Sequence, residues 1–115
     1  MIIGLHAIVY SPEAEAIRAF LRDVLDLPHV DAGHGWLIFA SPPAELAVHP
    51  TEGEGSHELY LMCDDLEETM AMLASKGVSC GEIMTARWGR ITRIALPDGG
   101  DLGLYQPTHP TALAL

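Results

Sequence analysis

Residues 101–105, "DLGLY", match residues 45–49, "ELAVH", position for position: an acid, a leucine, a small residue, an aliphatic residue and a ring. Alternation of this kind predicts half-buried strands, with Leu102 and Leu104 on one face and Asp101, Gly103 and Tyr105 on the other. At a similar offset "HAIVYSPEAE" (6–15) lies on "ELYLMCDDLE" (58–67), so His6 matches Glu58. The chain therefore reads as one plan written twice: strand, helix, strand, strand, strand. Two copies predict a pseudo-symmetric pair of curved sheets and not a solenoid.

Working outward, module one spans 1–50. "IIGLHAIVY" (2–10) is a predicted strand. A helix over 11–25 follows, with Ser11 as its N-cap, Pro12 in its first turn and Ile17, Phe20, Leu21 and Val24 as its buried stripe. Three short strands complete it at "LPHVDA" (27–32), "GWLIFA" (35–40) and "AELAVHP" (44–50). An acidic, glycine-bearing linker, "TEGEGS" (51–56), leads into module two, 57–107. There "HELYLMC" (57–63) is a strand, and 64–77 is a helix capped by Asp65, with Glu68 in the capping-box position and Gly77 as the stop. "VSCGEIM" (78–84), "RWGRITRIAL" (87–96) and "DLGLYQ" (101–106) supply its other strands. The tail, 108–115, is expected to dock on a neighbour or to fray. The fold class is α+β: two βαβββ modules in a single domain, 1–115, curved around a shared cleft.

Composition narrows the function. The 115 residues carry six Lys and Arg and a formal charge of −10, a surface that repels nucleic acid and anionic membranes. Two cysteines without metal-type spacing, Cys63 and Cys80, fit reduced thiols. No basic, apolar leader is visible, and the expected location is cytoplasmic.

Several residues ask for a reason. A glycine inside a strand, as at Gly103, means either that something approaches closely or that something is missing. A carboxylate within a strand, as at Glu58, is costly where it faces inward unless paired or bound to metal. A His6–Glu58 hydrogen bond would satisfy both groups and would also make a general base. Trp36 and Trp88, in matching strand regions, are candidates to wall an apolar pocket. Arg87, Arg90 and Arg93 crowd one strand, where one of them could hold a ligand carboxylate or phosphate; its parity does not say which. His57 alternates away from Glu58, and Cys63 reads as core.

In "GLHAIVYSPEAEAIRAFLRDVLDL", "CDDLEETMAMLASKGV" and "RWGRITRIALPDGGDLGLYQP", taken in this order, the chain resembles the vicinal oxygen chelate superfamily of glyoxalases, extradiol dioxygenases and bleomycin-resistance proteins. The resemblance covers about residues 2–107 and implies one inward side chain from the first and last strand of each module, together holding a divalent cation. Here those positions are His6, Ala47, Glu58 and Gly103. His6 and Glu58 can ligate; Ala47 and Gly103 cannot, so a ligand is missing where the superfamily often keeps a glutamate. His49 or Glu45, one pleat from Ala47, could make up the shell only if the strand slid or bulged, a shift of roughly 7 Å. His6, His49 and Glu58 would form a two-His-one-carboxylate set.

Two readings follow. One is a lyase, isomerase or ring-cleaving dioxygenase with a degenerate site for Fe, Mn, Ni or Zn. His6 and Glu58 would be catalytic in it and His6, Glu58 and His49 the metal set. The other is a metal-free protein that binds and sequesters a small molecule. In both, Trp36, Glu45, Tyr60, Trp88, Asp101 and Tyr105 are the substrate-binding candidates, and the expected partners are a small molecule and a second copy in a homodimer.

Overall fold

The computed structural model describes residues 6–114. The expected first strand lies partly outside them, and its described part, 6–10, is exposed and takes no place in a sheet. Helix α1 (Ala14–Ala19) winds on through a wider π-type segment, Phe20–Val24, and buries Ile17 and Phe20. It starts later than expected because Ser11 is engaged elsewhere. The Ser11 hydroxyl donates to Asp98 Oδ2 at 2.6 Å and accepts from the Glu13 amide at 3.0 Å. Ser11 therefore ties the helix approach to the turn before the last strand and does not cap the helix. That bond, with a second from the Gly100 amide, holds the Asp98 carboxyl below the ordinary aspartate range.

Strands β1 (His29–Asp31) and β2 (Leu37–Phe39) form an antiparallel hairpin, with His29 opposite Phe39. Its turn is held by Asp31, whose carboxylate accepts from the amides of Gly33 at 2.7 Å and Gly35 at 3.2 Å. Residues 44–50 form no strand, contrary to expectation, and Leu46 and Val48 stand in solvent. Pro42, Pro43 and Pro50 bracket this segment and remove ladder donors at both of its ends.

Module two is complete. Strand β3 (Tyr60–Met62) leads into α2 (Leu66–Ser75), then β4 (Met84–Ala86), β5 (Gly89–Ala95) and β6 (Asp101–Pro107). The sheet order is β3-β6-β5-β4, parallel between β3 and β6 and antiparallel elsewhere. Helix α2 is the crossover that a parallel pair requires. Asp65 caps it as the sequence predicts, accepting from the Glu68 amide at 3.0 Å, and Gly77, at φ +78°, ends it. The expected strand over 78–84 pairs with β5 only in pieces, through a single bridge from Cys80 to Ile94 and then through β4.

One face of this sheet packs on α2. Leu66 and Leu73 from the helix, Ile94 and Leu104 from the sheet and Phe20 from module one form the core. Gln106 closes it, accepting from the Leu66 amide at 2.9 Å. Lys76 at the helix end reaches back to the Val24 carbonyl at 2.9 Å and Asp26 at 3.2 Å, joining the two modules. Among the described residues no helix is long and apolar enough to cross a membrane. The other face of the sheet carries Tyr60, Arg93, Asp101, Gly103 and Tyr105, and it holds the candidate site.

Candidate functional site

The site is built on the parallel pair β3/β6, where Tyr60 sits opposite Gly103. One edge of the Tyr60 ring, Cδ1 and Cε1, closes on the glycine. A methyl group at 103 would fall 2.6 Å from Tyr60 Cε1, closer still to Cδ1, and 2.9 Å from Arg93 Nη1. Gly103 is therefore a place of close approach, and the space a side chain would use is filled by an aromatic ring. Alternation carries the same face one step along β6 to Tyr105, and the hairpin turn between β4 and β5 contributes Trp88.

The three rings form an edge-to-face cluster. Centroids lie 5.7 Å apart for Tyr60–Tyr105, 5.2 Å for Trp88–Tyr105 and 6.1 Å for Tyr60–Trp88, with interplanar angles of 81–89°. These are the separations at which the positive edge of one ring meets the negative face of the next. Tyr105 is buried, while Tyr60 and Trp88 are half-exposed and present an apolar wall.

Both phenols point their protons at carboxylates. The Tyr60 hydroxyl donates to Glu58 Oε2 at 2.7 Å, and the Tyr105 hydroxyl to Glu45 Oε1 at 3.4 Å. The bond to Glu58, then burial, raises the Tyr60 phenol above the ordinary tyrosine value; burial, then the Glu45 charge, does the same for Tyr105. Glu58 and Glu45 thus set acceptors beside the rings, and Arg93 sets a donor there. Arg93 stands with its guanidinium carbon 5.7 Å from the Tyr60 ring centre and is paired with Asp101 at 2.7 Å. Arg93 and Asp101 also border a shallow hollow of about 370 Å³.

The parity of β5 is now fixed. Arg93 faces the wall, Arg90 faces α2 and pairs with Glu67, and Arg87 contributes its carbonyl to Thr108. Of the sequence candidates, the structure brings together Tyr60, Trp88, Tyr105, Glu58, Glu45 and Asp101. It does not bring Trp36, which is 64 % exposed beside β2 with the Arg18 guanidinium carbon 4.7 Å from its ring centre. His6 and His49 are exposed, each outside any strand. The expected His6–Glu58 hydrogen bond is not formed; Glu58 is engaged by Tyr60. The tail, expected to dock or to fray, makes contacts with the site. His109 lies 3.5 Å from the Tyr105 hydroxyl, and the Ala112 amide donates to Glu45 Oε2 at 2.7 Å.

The divalent cation implied by the resemblance does not fit these residues. Among the described residues no three His, Cys, Asp or Glu side chains converge into a metal-sized group, so His6, His49 and Glu58 are not assembled as a set. The Tyr60 ring also covers position 103, where a further ligand would have to enter. What this arrangement can do is hold an apolar surface against the exposed parts of Tyr60 and Trp88 and accept hydrogen bonds at Glu58 and Glu45.

Comparison with solved structures finds likeness over nearly the whole chain. TnmS3, an antibiotic-binding protein from Streptomyces sp. CB03234, is 27 % identical with a TM-score of 0.68, over 94 % of this chain and 99 % of that one. A glyoxalase/bleomycin resistance protein from the same strain is 28 % identical at a TM-score of 0.58, over 85 % and 95 %. A lactoylglutathione lyase from Agrobacterium tumefaciens, 17 % identical at 0.65 over 90 % and 92 %, shares the fold. No family model matches the sequence, and no curated protein matches it significantly.

Proposed function

We propose that this chain, which has the fold of the vicinal oxygen chelate superfamily, is a metal-free protein that binds and sequesters a small aromatic molecule. The observation that carries this reading is the Tyr60 ring against Gly103, an aromatic ring where the resemblance implies a metal ligand. The likeness to an antibiotic-binding protein, close to full length on both chains, supports it. The alternative, a metal-dependent lyase, isomerase or dioxygenase, rests on His6 and Glu58 as donors, and its nearest support, the lyase, is a likeness of fold alone. The ligand would stack on one of the two half-exposed rings, meet the other, set at 81° to it, edge-on, and direct N–H or O–H groups to Glu58.

The test is a titration with proflavine, a planar aromatic probe bearing amino donors, read by Trp88 fluorescence in a Trp36→Phe background. Quenching that saturates, and a Kd weakened about tenfold by Tyr60→Ala, is the expected result, since losing a ring contact with its buried area is worth at least about 1.4 kcal/mol. Quenching that never saturates removes the reading.

A homodimer belongs to the same proposal. The chain exposes 8835 Å², against about 6,100 Å² expected for a compact chain of 12.4 kDa. Its radius of gyration, 15.1 Å, likewise exceeds the roughly 13 Å of a compact chain of this length. The surplus on one chain exceeds the roughly 800 Å² that each partner of a standard interface buries and is of the order found in obligate dimers, and Val9, Tyr10, Leu46 and Val48 of module one contribute apolar side chains to it. A second copy is the occupant that supplies matching strands for these segments.

A further inference from the structure

The segment after β6 turns back over the site. The Thr108 amide donates to the Trp88 carbonyl at 2.9 Å, and its hydroxyl to the Arg87 carbonyl at 3.1 Å, fixing the start of the segment to the β4–β5 turn. His109 then lies against the Tyr105 ring, centroids 6.1 Å apart at 32°, and its Nδ1 is 2.7 Å from the Pro110 carbonyl. Three residues on, the Ala112 amide reaches Glu45 Oε2. Residues 108–114 therefore run over the Tyr105 end of the wall, fastened at one end to main chain and at the other to a single carboxylate.

Glu45 is the unusual member. It belongs to module one, within a segment that is otherwise exposed, yet its side chain is only 16 % exposed. One oxygen takes the Tyr105 hydroxyl and the other takes the Ala112 amide, while His109 Nε2 stands 3.9 Å away. Carboxylates that accept several hydrogen bonds make strong, directional anchors. This one accepts a main-chain donor, whereas Glu58 and Asp101 are engaged by the side chains of Tyr60 and Arg93.

We infer that residues 108–114 form a strap that competes with the ligand for Glu45, so that binding opens the strap and Glu45 takes over a ligand donor in place of the Ala112 amide. The inference rests on the small-molecule reading of the wall. A strap that occupies the acceptor in the free protein lowers apparent affinity by the fraction of time it stays closed, and freeing it restores that affinity. It also makes the site selective: a flat apolar molecule without a donor cannot replace the amide and leaves Glu45 unsatisfied, whereas an amine or amide can.

Ala112→Pro tests this, because proline removes the donated N–H and leaves Glu45 in place. NMR of the full chain follows the Ala112 amide and the Trp88 indole while proflavine is added. In the parent the dye should shift the indole and at the same time expose the Ala112 amide to solvent exchange. Ala112→Pro should bind the dye about three- to tenfold more tightly, and Glu45→Ala, which loses both strap and anchor, more weakly than Ala112→Pro. An Ala112 amide still protected in the dye-saturated parent, or a Kd unchanged or weakened in Ala112→Pro, overturns the strap while leaving the binding reading intact. A Trp88 indole that moves in none of the three proteins overturns the binding reading, and the competition falls with it.

Discussion

Tyr60 and Gly103 face each other across the parallel pair β3/β6, and the tyrosine ring occupies the volume that a side chain at 103 would need. The binding reading proposed above rests on this pairing. A carboxylate at 103 would reach toward a cation; the ring laid over a bare glycine makes an apolar floor instead.

The pairing is testable through stability. Gly103→Ala should destabilise the protein by about 1–3 kcal/mol, the usual cost of forcing a side chain into filled space. In a Tyr60→Ala background the same substitution should cost markedly less, because the obstructing ring is gone. Urea unfolding of the two single variants and the double variant measures the coupling. Strict additivity would mean that the ring does not rest on residue 103.

The Tyr60 hydroxyl reports on Glu58. With Glu58 accepting its proton, Tyr60 ionises above the ordinary tyrosine range. A folded-state pKa raised above the unfolded one contributes stability that is present below about pH 10 and is lost as pH rises through the folded value. Glu58→Ala should bring one phenolate transition in the near-ultraviolet spectrum down toward about pH 10 and reduce this alkaline loss of stability. An unchanged titration curve would show that the pair is not formed in solution.

Metal content separates the two functional readings. Offered Fe(II), Mn(II), Ni(II) and Zn(II) without oxygen, the protein should retain far less than one equivalent, and a chelator should leave its Tm unchanged. The basis is the set of donors: Ala47 and Gly103 supply none, and no three ligating side chains converge among the described residues. Near-stoichiometric metal that disappears in His6→Ala would replace the binding reading with the chelate enzyme.

Module two was legible in the sequence because its signals are local. Asp65 and Gly77 mark the helix ends, and the Leu66–Met70–Leu73 stripe marks its buried face. The meaning of Gly103 was not local: glycine announces a close approach or an absence, and the ring that fills the space comes from a strand more than forty residues earlier. The orientation of Arg93 was equally hidden. On β5 the α2 face carries Arg90 and Thr92 beside Ile94, and the other face carries Ile91 beside Arg93, so neither face is marked by apolar residues alone. His109 and Ala112 carried no signal, since a main-chain amide leaves no trace in sequence. The strand expected at 44–50 shows the limit from the other side. Alternation at Leu46 and Val48 says that these residues call for burial, but not what covers them.

A second copy as that cover leads to the last prediction. Val48 is 90 % and Leu46 83 % exposed in the single chain, so replacing either by aspartate removes no contact within the chain and should leave the core around Leu73 intact. If these side chains pack against a partner, Val48→Asp should shift the protein from twice the 12.4 kDa chain mass toward the monomer in light scattering coupled to gel filtration, in a concentration-dependent way. Leu73→Ala is the contrasting case: it empties a fully buried position on α2 and should cost about 2–5 kcal/mol of unfolding free energy. In that case assembly and folding would respond to different substitutions, because the apolar side chains concerned would be covered by different molecules. A parent that runs at the mass of one chain, with Val48→Asp indistinguishable from it, would mean that module one stays open in solution and that its apolar side chains do not belong to an interface between copies.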